Sequence, residues 1–468
     1  MSATVSTTSS TSPSGISFSG LGSGLDIQGI VSQLVSVEGK PQQQLLTNQQ
    51  ANLNLTLSSL GQLKSGLASV QTATDALQNL DTFRSRTVSV ANTAMLTAAA
   101  IPGTSLGTYQ VEVDQLATAQ KQASVGFASS SATVGSGSLA FTSGGTTFSV
   151  NVAATDTLSN IRDNINSATG NVGVQASIVN VDNGSGGTVS KLVITALNTG
   201  SANAVSITAT DSDGNNTDTS GLSILASNNL TQISAAQDSI IKIDGMQVTS
   251  SSNSVTSAIT GLTLNLNQAQ VGATTAVTIG NDTSPVTNAL QNLVTQFNAY
   301  QQTYGSLTSY DTATNQAGAL LGDATANSTN RALRSLLGAN FTTGSTSIQN
   351  LADIGLQVDS KGVMSLDTTK LQSALTTDPN AVKTLLTDPT HGLAAKVDTA
   401  LTPYLQFSGV FDSRTQSINS QLQSITQQQT ALQARLTQYQ ASLMAQFTAM
   451  DSYVSQMNSS LSFLAKLN

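Results

Sequence analysis

The chain has 468 residues and a mass of 47.8 kDa, which at about 150 residues per domain is enough for roughly three domains. Only 9% of the residues are charged, and the 17 basic ones are spread from Lys40 to Lys466, so the sequence lacks a clustered basic surface for nucleic acid. Ser, Thr, Asn and Gln supply 202 residues, and the single His and the absence of Cys exclude thiol nucleophiles, disulfides and multi-histidine metal sites.

The N-terminal part of the sequence predicts a disordered lead followed by two helices. Residues 1–15 are mostly Ser and Thr and offer almost no apolar surface to bury. Asp26 is placed to cap a first helix that is expected to end near Gly39, before Pro41. A second helix is expected to run to about Asp81, with leucines close to heptad spacing.

The middle of the sequence is predicted to be rich in β-strands. From Arg84 onward the apolar period changes to two, as in the segments 84–90 and 109–113, and Gly, Asn and Asp clusters divide the later strands up to Ile279. One helix, Leu158 to Ile165, is expected to open at Asp156.

Helical periodicity returns at Ser284 and continues to the C-terminus. Further helices are expected after Asp323, Asp367 and Asp378, with a β-hairpin around residues 361–362. The last helix carries an apolar ladder from Ile418 to Leu464, and its spacing alone fits intramolecular and intermolecular packing equally well.

Three motifs resemble chemical sites only superficially. The glycines at positions 20, 22 and 24 lack the dinucleotide-binding spacing, and the acidic segment 211–218 lacks the glutamate of a calcium loop. His391 has no recognisable catalytic partner in the sequence. We therefore expect no enzymatic activity, no cofactor and no metal. We also expect no membrane span and no cleaved signal peptide, because no apolar run is long enough and no basic residue precedes Lys40.

The segment 18–27 (FSGLGSGLDI), followed by Glu38 and Pro41, resembles the opening of the bacterial flagellar filament cap family, hook-associated protein 2. Segments 318–323, 351–355, 362–367 and 446–458 are similar to the C-terminal half of that family, in the same order. Residues 148–195 resemble a module found in flagellins and filament-junction proteins.

Helices at both ends of the sequence with strands between them predict a multidomain α+β fold, a terminal helical coiled-coil stem with an inserted β-rich head of two domains, and the order of the family segments agrees with this organisation. The expected division places a disordered lead at 1–15, an N-terminal leg helix at 16–40 and a stem helix at 41–80. The β head would occupy 81–120 and 236–282, with an outer, flagellin-like head domain at 121–235. A stem domain at 283–449 and a C-terminal leg helix at 450–468 would complete the chain.

The resemblance also implies a function at the filament tip, outside the cell, reached through the flagellar type III export apparatus with an export chaperone and without a cleaved signal. Partners would be flagellin, further copies of the chain in a ring of five or six, and in some members mucin. The alternatives are a hook-filament junction protein or flagellin, and a surface adhesin that binds host glycans. The expected assembly interface comprises Ile27, Ile30, Val31, Leu34, Leu436, Leu443, Phe447, Met450, Val454, Met457, Leu461 and Leu464.

Overall fold

The computed structural model describes residues 24–79, 81–171, 173–313 and 315–465. The predicted disordered lead at 1–15 therefore lies outside the described residues. In chain order the α-helices are α1 (Ile27–Asp75), α2 (Asp81–Arg84), α3 (Leu158–Ser167), α4 (Ser284–Thr308), α5 (Ala324–Leu337), α6 (Thr368–Thr377), α7 (Pro379–Thr387), α8 (Leu393–Leu405) and α9 (Val410–Ala465).

Antiparallel strands lie between α2 and α6 in sequence. They are β1 (Arg86–Val90), β2 (Leu96–Ala100), β3 (Gly107–Gln115), β4 (Lys121–Ala123), β5 (Gly137–Ser143), β6 (Thr146–Val152), β7 (Val174–Asp182), β8 (Thr188–Ala196), β9 (Ser206–Asp211), β10 (Thr231–Ser234), β11 (Ser239–Ile243), β12 (Met246–Ser250), β13 (Ser254–Ile259), β14 (Leu262–Leu266), β15 (Thr274–Asn281), β16 (Tyr310–Asp311), β17 (Gln316–Ala317), β18 (Leu356–Val358) and β19 (Met364–Leu366).

The chain divides into two compact units, one formed by residues up to Gln78 and from Thr287 onward, and one formed by Asn79–Val286. In the first unit α1 and α9, which come from opposite ends of the chain, pack along each other, and α8 also packs on α1. The predicted α+β fold class is confirmed, because the strands of the second unit lie between these helices in sequence.

The predicted break between two N-terminal helices, at Gly39 and Pro41, is wrong. Helix α1 is continuous over 49 residues with Pro41 inside it, and Asp26 caps its start by accepting a hydrogen bond from the Gly29 amide at 2.9 Å. An interior proline removes one helical hydrogen bond and strains the preceding turn. The helix continues because it is packed on both sides of Pro41, at Gly39 against Leu436 and at Leu46 within a cluster on α9.

The helix caps predicted in the C-terminal half are confirmed. The carboxylates of Asp323, Asp367 and Asp378 accept hydrogen bonds from backbone amides in the first turns of α5, α6 and α7. The predicted hairpin corresponds to β18 and β19, which pair over Leu356↔Leu366.

The second unit contains two separate hydrophobic clusters. The first belongs to a five-stranded sheet, in the order β1-β15-β3-β11-β12, and a three-stranded sheet, β13-β14-β2. The second belongs to a four-stranded sheet, β10-β4-β8-β7, a three-stranded sheet, β6-β5-β9, and helix α3. The N-cap of α3 is Thr157 in a capping box with Asn160, not Asp156 as the sequence predicted, because the Asp156 carboxylate bonds the Ala153 amide instead.

Hydrogen bonds link the chain segments that connect these two clusters. The Asp238 carboxylate accepts from the amide and the hydroxyl of Ser201, both at 2.7 Å, and these bonds lower its pKa from the usual value. The Asn253 side chain bonds both the N–H and the C=O of Ala117. Two cores joined in this way agree with a head of two parts, although the exact domain boundaries stay a prediction.

Tyr300 of α4 offers a test of packing in the first unit. Its side chain is fully buried, burial raises its pKa, and its hydroxyl has no hydrogen-bond partner among the described residues. An unpaired buried hydroxyl costs about 1–3 kcal/mol. We therefore expect Tyr300→Phe to leave the melting temperature unchanged or raise it by a few degrees, about 2–4 °C per kcal/mol, in calorimetry.

The control is Tyr304→Phe on the same helix. The Tyr304 hydroxyl donates to Asn327 Oδ1 at 2.8 Å, so its removal should lower stability by about 1 kcal/mol. If Tyr300→Phe destabilises the protein as much as Tyr304→Phe, the Tyr300 hydroxyl is satisfied and this interpretation is wrong.

Candidate functional site: the paired terminal helices

Side-chain contacts set the direction in which α1 and α9 pair. Lys64 forms an ion pair with Asp412 near the start of α9. Further along α9, the Gln429 side-chain amide donates to Gln50 Oε1 at 3.2 Å, and Arg435 Nη2 lies 3.8 Å from Glu38 Oε1. In these three contacts the residue number on α1 falls from 64 to 38 as the residue number on α9 rises from 412 to 435. The two helices are therefore antiparallel, and this register places the first turn of α1 near residues 447–450 of α9.

The charged pairs along this contact are few among the described residues: Lys64–Asp412 is half-buried, and Arg435–Glu38 is solvent-exposed. The hydrogen bond from Lys64 lowers the pKa of Asp412. The pair therefore contributes its full stability above the usual aspartate pKa of about 4, and that stability is lost as the pH falls through the lowered pKa. Side chains of Arg435 and Glu38 are 62% and 57% exposed. Exposed pairs of this kind contribute little stability, so the helices depend on their apolar contact.

The apolar contact is a narrow seam. Leu46, Ile425 and Leu432 are buried in one cluster, with Leu53 and Leu436 packed partly against it. Burying such a side chain contributes about 2 kcal/mol. A Cβ atom on Gly39 would lie 2.5 Å from Leu436 Cδ1, so the missing side chain lets the two helices approach closely.

The four predicted interface residues on α1 differ in exposure. Ile27 and Val31 are buried, with 2% and 0% of their surface exposed, and Ile30 is half-buried. Leu34 is 42% exposed and lies outside the seam. Part of the predicted apolar stripe, Ile27 and Val31, is therefore buried within the chain, and Leu34 remains exposed to solvent.

The predicted residues on α9 become more exposed toward the end of the helix. Half of the set is half-buried, and the other half is 50–60% exposed among the described residues. The half-buried members are Leu436, Leu443, Phe447 and Val454, and the exposed members are Met450, Met457, Leu461 and Leu464.

This gradient follows from the register. In the described part of the chain, α1 begins at Ile27, so α9 beyond about Met450 has no α1 residue opposite it. We call residues 450–465 the α9 tail. Two large apolar side chains on it, Tyr453 and Phe463, are 67% and 65% exposed and were not predicted as interface residues. Their position directly beside the ladder residues Val454 and Leu464 was the available signal for a wider apolar face.

Two of the three motifs that resemble chemical sites, the segment 211–218 and His391, form local contacts, and the glycines at positions 20 and 22 lie outside the described residues. Burial alone would raise the pKa of Asp211, but bonds from Ser223, Asp213 and Leu222 hold it below its usual value. His391 Nδ1 lies 3.5 Å from Asp388 Oδ1 on an exposed loop. Within the described ranges no three His, Cys, Asp or Glu side chains are grouped to hold a metal. No helix there is both long and apolar enough to cross a membrane.

Comparison with known proteins agrees with this architecture. Sequence models of the flagellar hook-associated protein 2 N-terminus and C-terminus match residues 23–120 and 236–459, and a model of the flagellin hook IN motif matches residues 138–198. The chain is 30% identical to A-type flagellar hook-associated protein 2 of Pseudomonas aeruginosa, over 96% of each chain. It is 32% identical to flagellar hook-associated protein 2 of Escherichia coli K12, over 96% of this chain and 97% of that one.

Among solved structures, the chain resembles the flagellar cap protein FliD D1-D2-D3 domains from Escherichia coli, with a TM-score of 0.62 and 31% identity. That comparison covers 77% of this chain and 99% of the other. The family models, the full-length relatives and the shared fold agree with one another. The chain belongs to the flagellar hook-associated protein 2 family of filament cap proteins, which are structural and not enzymatic.

Proposed function

We propose that this chain caps the distal end of a flagellar filament, promotes the polymerisation of flagellin there and prevents the loss of unpolymerised flagellin. The single observation that carries the proposal is the α9 tail: a helical apolar face, unpaired in the described chain, at one end of a paired stem. Such a face is suited to bind other helices, because apolar stripes on helices gain stability by packing together. Several copies would form a ring, and export would use the flagellar type III apparatus.

The mechanism we propose is steric. The tails of several copies would hold the growing end of the filament, and the β-rich units would close its lumen, so that newly exported flagellin is retained until it inserts. An isolated helix shorter than about 12–15 residues is marginal in water, and the tail, residues 450–465, is only slightly longer than this limit. A tail of this length could therefore release and rebind as subunits enter, with part of its ordering cost met on binding.

Complementation of a deletion strain tests the function. Without the chain, flagellin should appear unpolymerised in the medium, and restoring the chain should return filaments, as judged by electron microscopy and by flagellin in the culture supernatant. A chain that ends at Ala449 retains the paired part of the stem and is the matched control, which should be exported but should fail to retain flagellin. Normal filaments in the deletion strain would exclude the capping role.

Charge placed on the seam tests whether it supports the stem. Leu436→Asp with Leu443→Asp introduces two carboxylates into a half-buried apolar contact and should lower the free energy of unfolding by about 2–5 kcal/mol. The same spacing is available on the opposite, exposed face of α9 as Gln438→Asp with Ala445→Asp, which should change it by about 0.5 kcal/mol or less. Circular dichroism melts measure both, and equal effects would show that the seam is not a structural contact.

Hydrogen exchange distinguishes the two ends of the stem in solution. We expect fast exchange across residues 450–465, and slow exchange in the strands around Val111 and Val193, which are buried. The start of α1 should exchange more slowly than the α9 tail, because Ile27 and Val31 are buried. Strong, equal protection of residues 27–37 and 450–465 in a monomer would exclude a releasable tail.

A further inference from the structure

Phe407 is the most exposed large apolar side chain in the described part of the chain, with 93% of its surface accessible. It lies in the loop of residues 406–409 between α8 and α9, beside Val410, which is 40% exposed. Single exposed apolar residues are common on protein surfaces. Phe407 differs from most isolated exposed apolar residues because the backbone of its loop is held in a specific conformation.

Several contacts fix this loop. Ser408 adopts a left-handed conformation with φ of 59°, which is uncommon for a residue other than glycine. Its amide donates to Asp412 Oδ2 at 3.2 Å, and Asp412 is in turn bonded by Lys64 of α1. The Gly409 amide donates to the Gln406 carbonyl at 2.9 Å. The aromatic ring is therefore presented on a preorganised loop, which lowers the entropy lost when it binds a partner.

A cavity large enough for an aromatic ring lies near the C-terminal end of α5, whereas the loop that carries Phe407 lies near its N-terminal end. The loop and Thr325, in the first turn of α5, line one groove, whereas a cavity of about 690 Å3 lies beside the last turn of α5, at Arg334 and Leu337. With a rise of about 1.5 Å per residue, Thr325 and Arg334 are separated by about 14 Å along the helix. Phe407 therefore cannot reach the cavity of its own chain.

The lining of this cavity suits an aromatic side chain. Leu337, Ala352, Leu356 and Val358 supply apolar atoms on which a ring can lie, and the Arg334 guanidinium is beside them. The rest of the lining is polar and comes mainly from Asn340, Asn350, Gln357 and Asp359. Among the described residues Arg334 forms no ion pair, so it is available to lie against a ring face in a cation–π contact. The groove beside the loop is smaller, about 490 Å3, and more open to solvent, and Nη2 of its Arg414 lies 3.7 Å from Asp323 Oδ2.

We propose that Phe407 of one copy inserts into the cavity between α5 and β18 of a second copy. Donor and receptor lie at opposite ends of α5 in the same unit, so each copy would give a ring to one neighbour and receive one from the other. A contact between two different surfaces of identical chains repeats, and it forms a closed ring when the rotation closes. This inference rests on the self-association in the proposed function and assigns the residues that produce it.

Disulfide trapping tests the geometry, because the chain contains no cysteine of its own. Gln406→Cys combined with Gln357→Cys places one thiol beside the Phe407 ring and one in the cavity. The Cα atoms of a disulfide are usually less than about 7 Å apart, so this pair can form only between copies. Mild oxidation of the full chain should give a ladder of covalent oligomers, whereas each single variant should give at most dimers. Dimers alone from the double variant would overturn the proposal.

Substitution tests the energetics. Phe407→Ala should weaken self-association at least tenfold in analytical ultracentrifugation, as expected for an aromatic anchor at the centre of an interface. Phe407→Trp should retain it, and Arg334→Ala should weaken it more than Arg331→Ala does. The control Val271→Ala, at a position 76% exposed in the other unit, should have no effect. Unchanged association of folded Phe407→Ala would overturn the contact.

The two proposals fail separately. A chain that restores filaments to the deletion strain, but whose self-association does not depend on Phe407, keeps the capping function and loses this contact. If Phe407→Ala instead loses only its binding to purified flagellin, the occupant of the cavity or the partner of the ring is flagellin, and the self-association contact is overturned. A wild-type chain that fails to restore filaments overturns the capping function, whatever the behaviour of Phe407.

Discussion

The antiparallel seam between α1 and α9 is the contact on which the first unit depends. It joins residues that are far apart in sequence, such as Lys64 and Asp412, which are separated by 348 positions. Closing a loop of this size costs conformational entropy before any contact is formed. The seam offsets that cost with buried leucines and isoleucines and with the wider core around α4 and α8, since the few charged pairs along it are half-buried or exposed and contribute little.

The same seam determines where the chain leaves apolar surface exposed. Helix α9 has 56 residues and starts opposite the C-terminal part of α1, near Lys64, so in this register it extends beyond the first residue of α1. Exposure of its ladder rises beyond Phe447 for this geometric reason, although the sequence pattern itself continues without a change. A surface suited to assembly thus arises from the offset between two helices, without any special motif.

Much of the architecture could be predicted from local sequence signals. Aspartate caps at Asp26, Asp323, Asp367 and Asp378 locate helix starts because a short acidic side chain satisfies free amides there. The break at Pro41 was predicted wrongly, because local propensity does not include the stabilisation that a partner helix provides. For the same reason the apolar ladder on α9 could be recognised in the sequence, but the division into buried and exposed members could not. That division requires the register of α1, which is a tertiary property.

The presentation of Phe407 shows a second limit of sequence patterns. An isolated phenylalanine in a short loop carries no periodicity, and its significance depends on the conformation of Ser408 and on contacts to Asp412. Phe407 and the α9 tail also represent two different ways to expose apolar surface. The loop is held by local hydrogen bonds and suits a fixed contact in the proposed assembly, whereas the tail presents a helical face with half-exposed apolar side chains and suits the proposed release and rebinding. In the proposed function, a ring that stays assembled while flagellin inserts would use both kinds of surface, one contact that persists and another that exchanges.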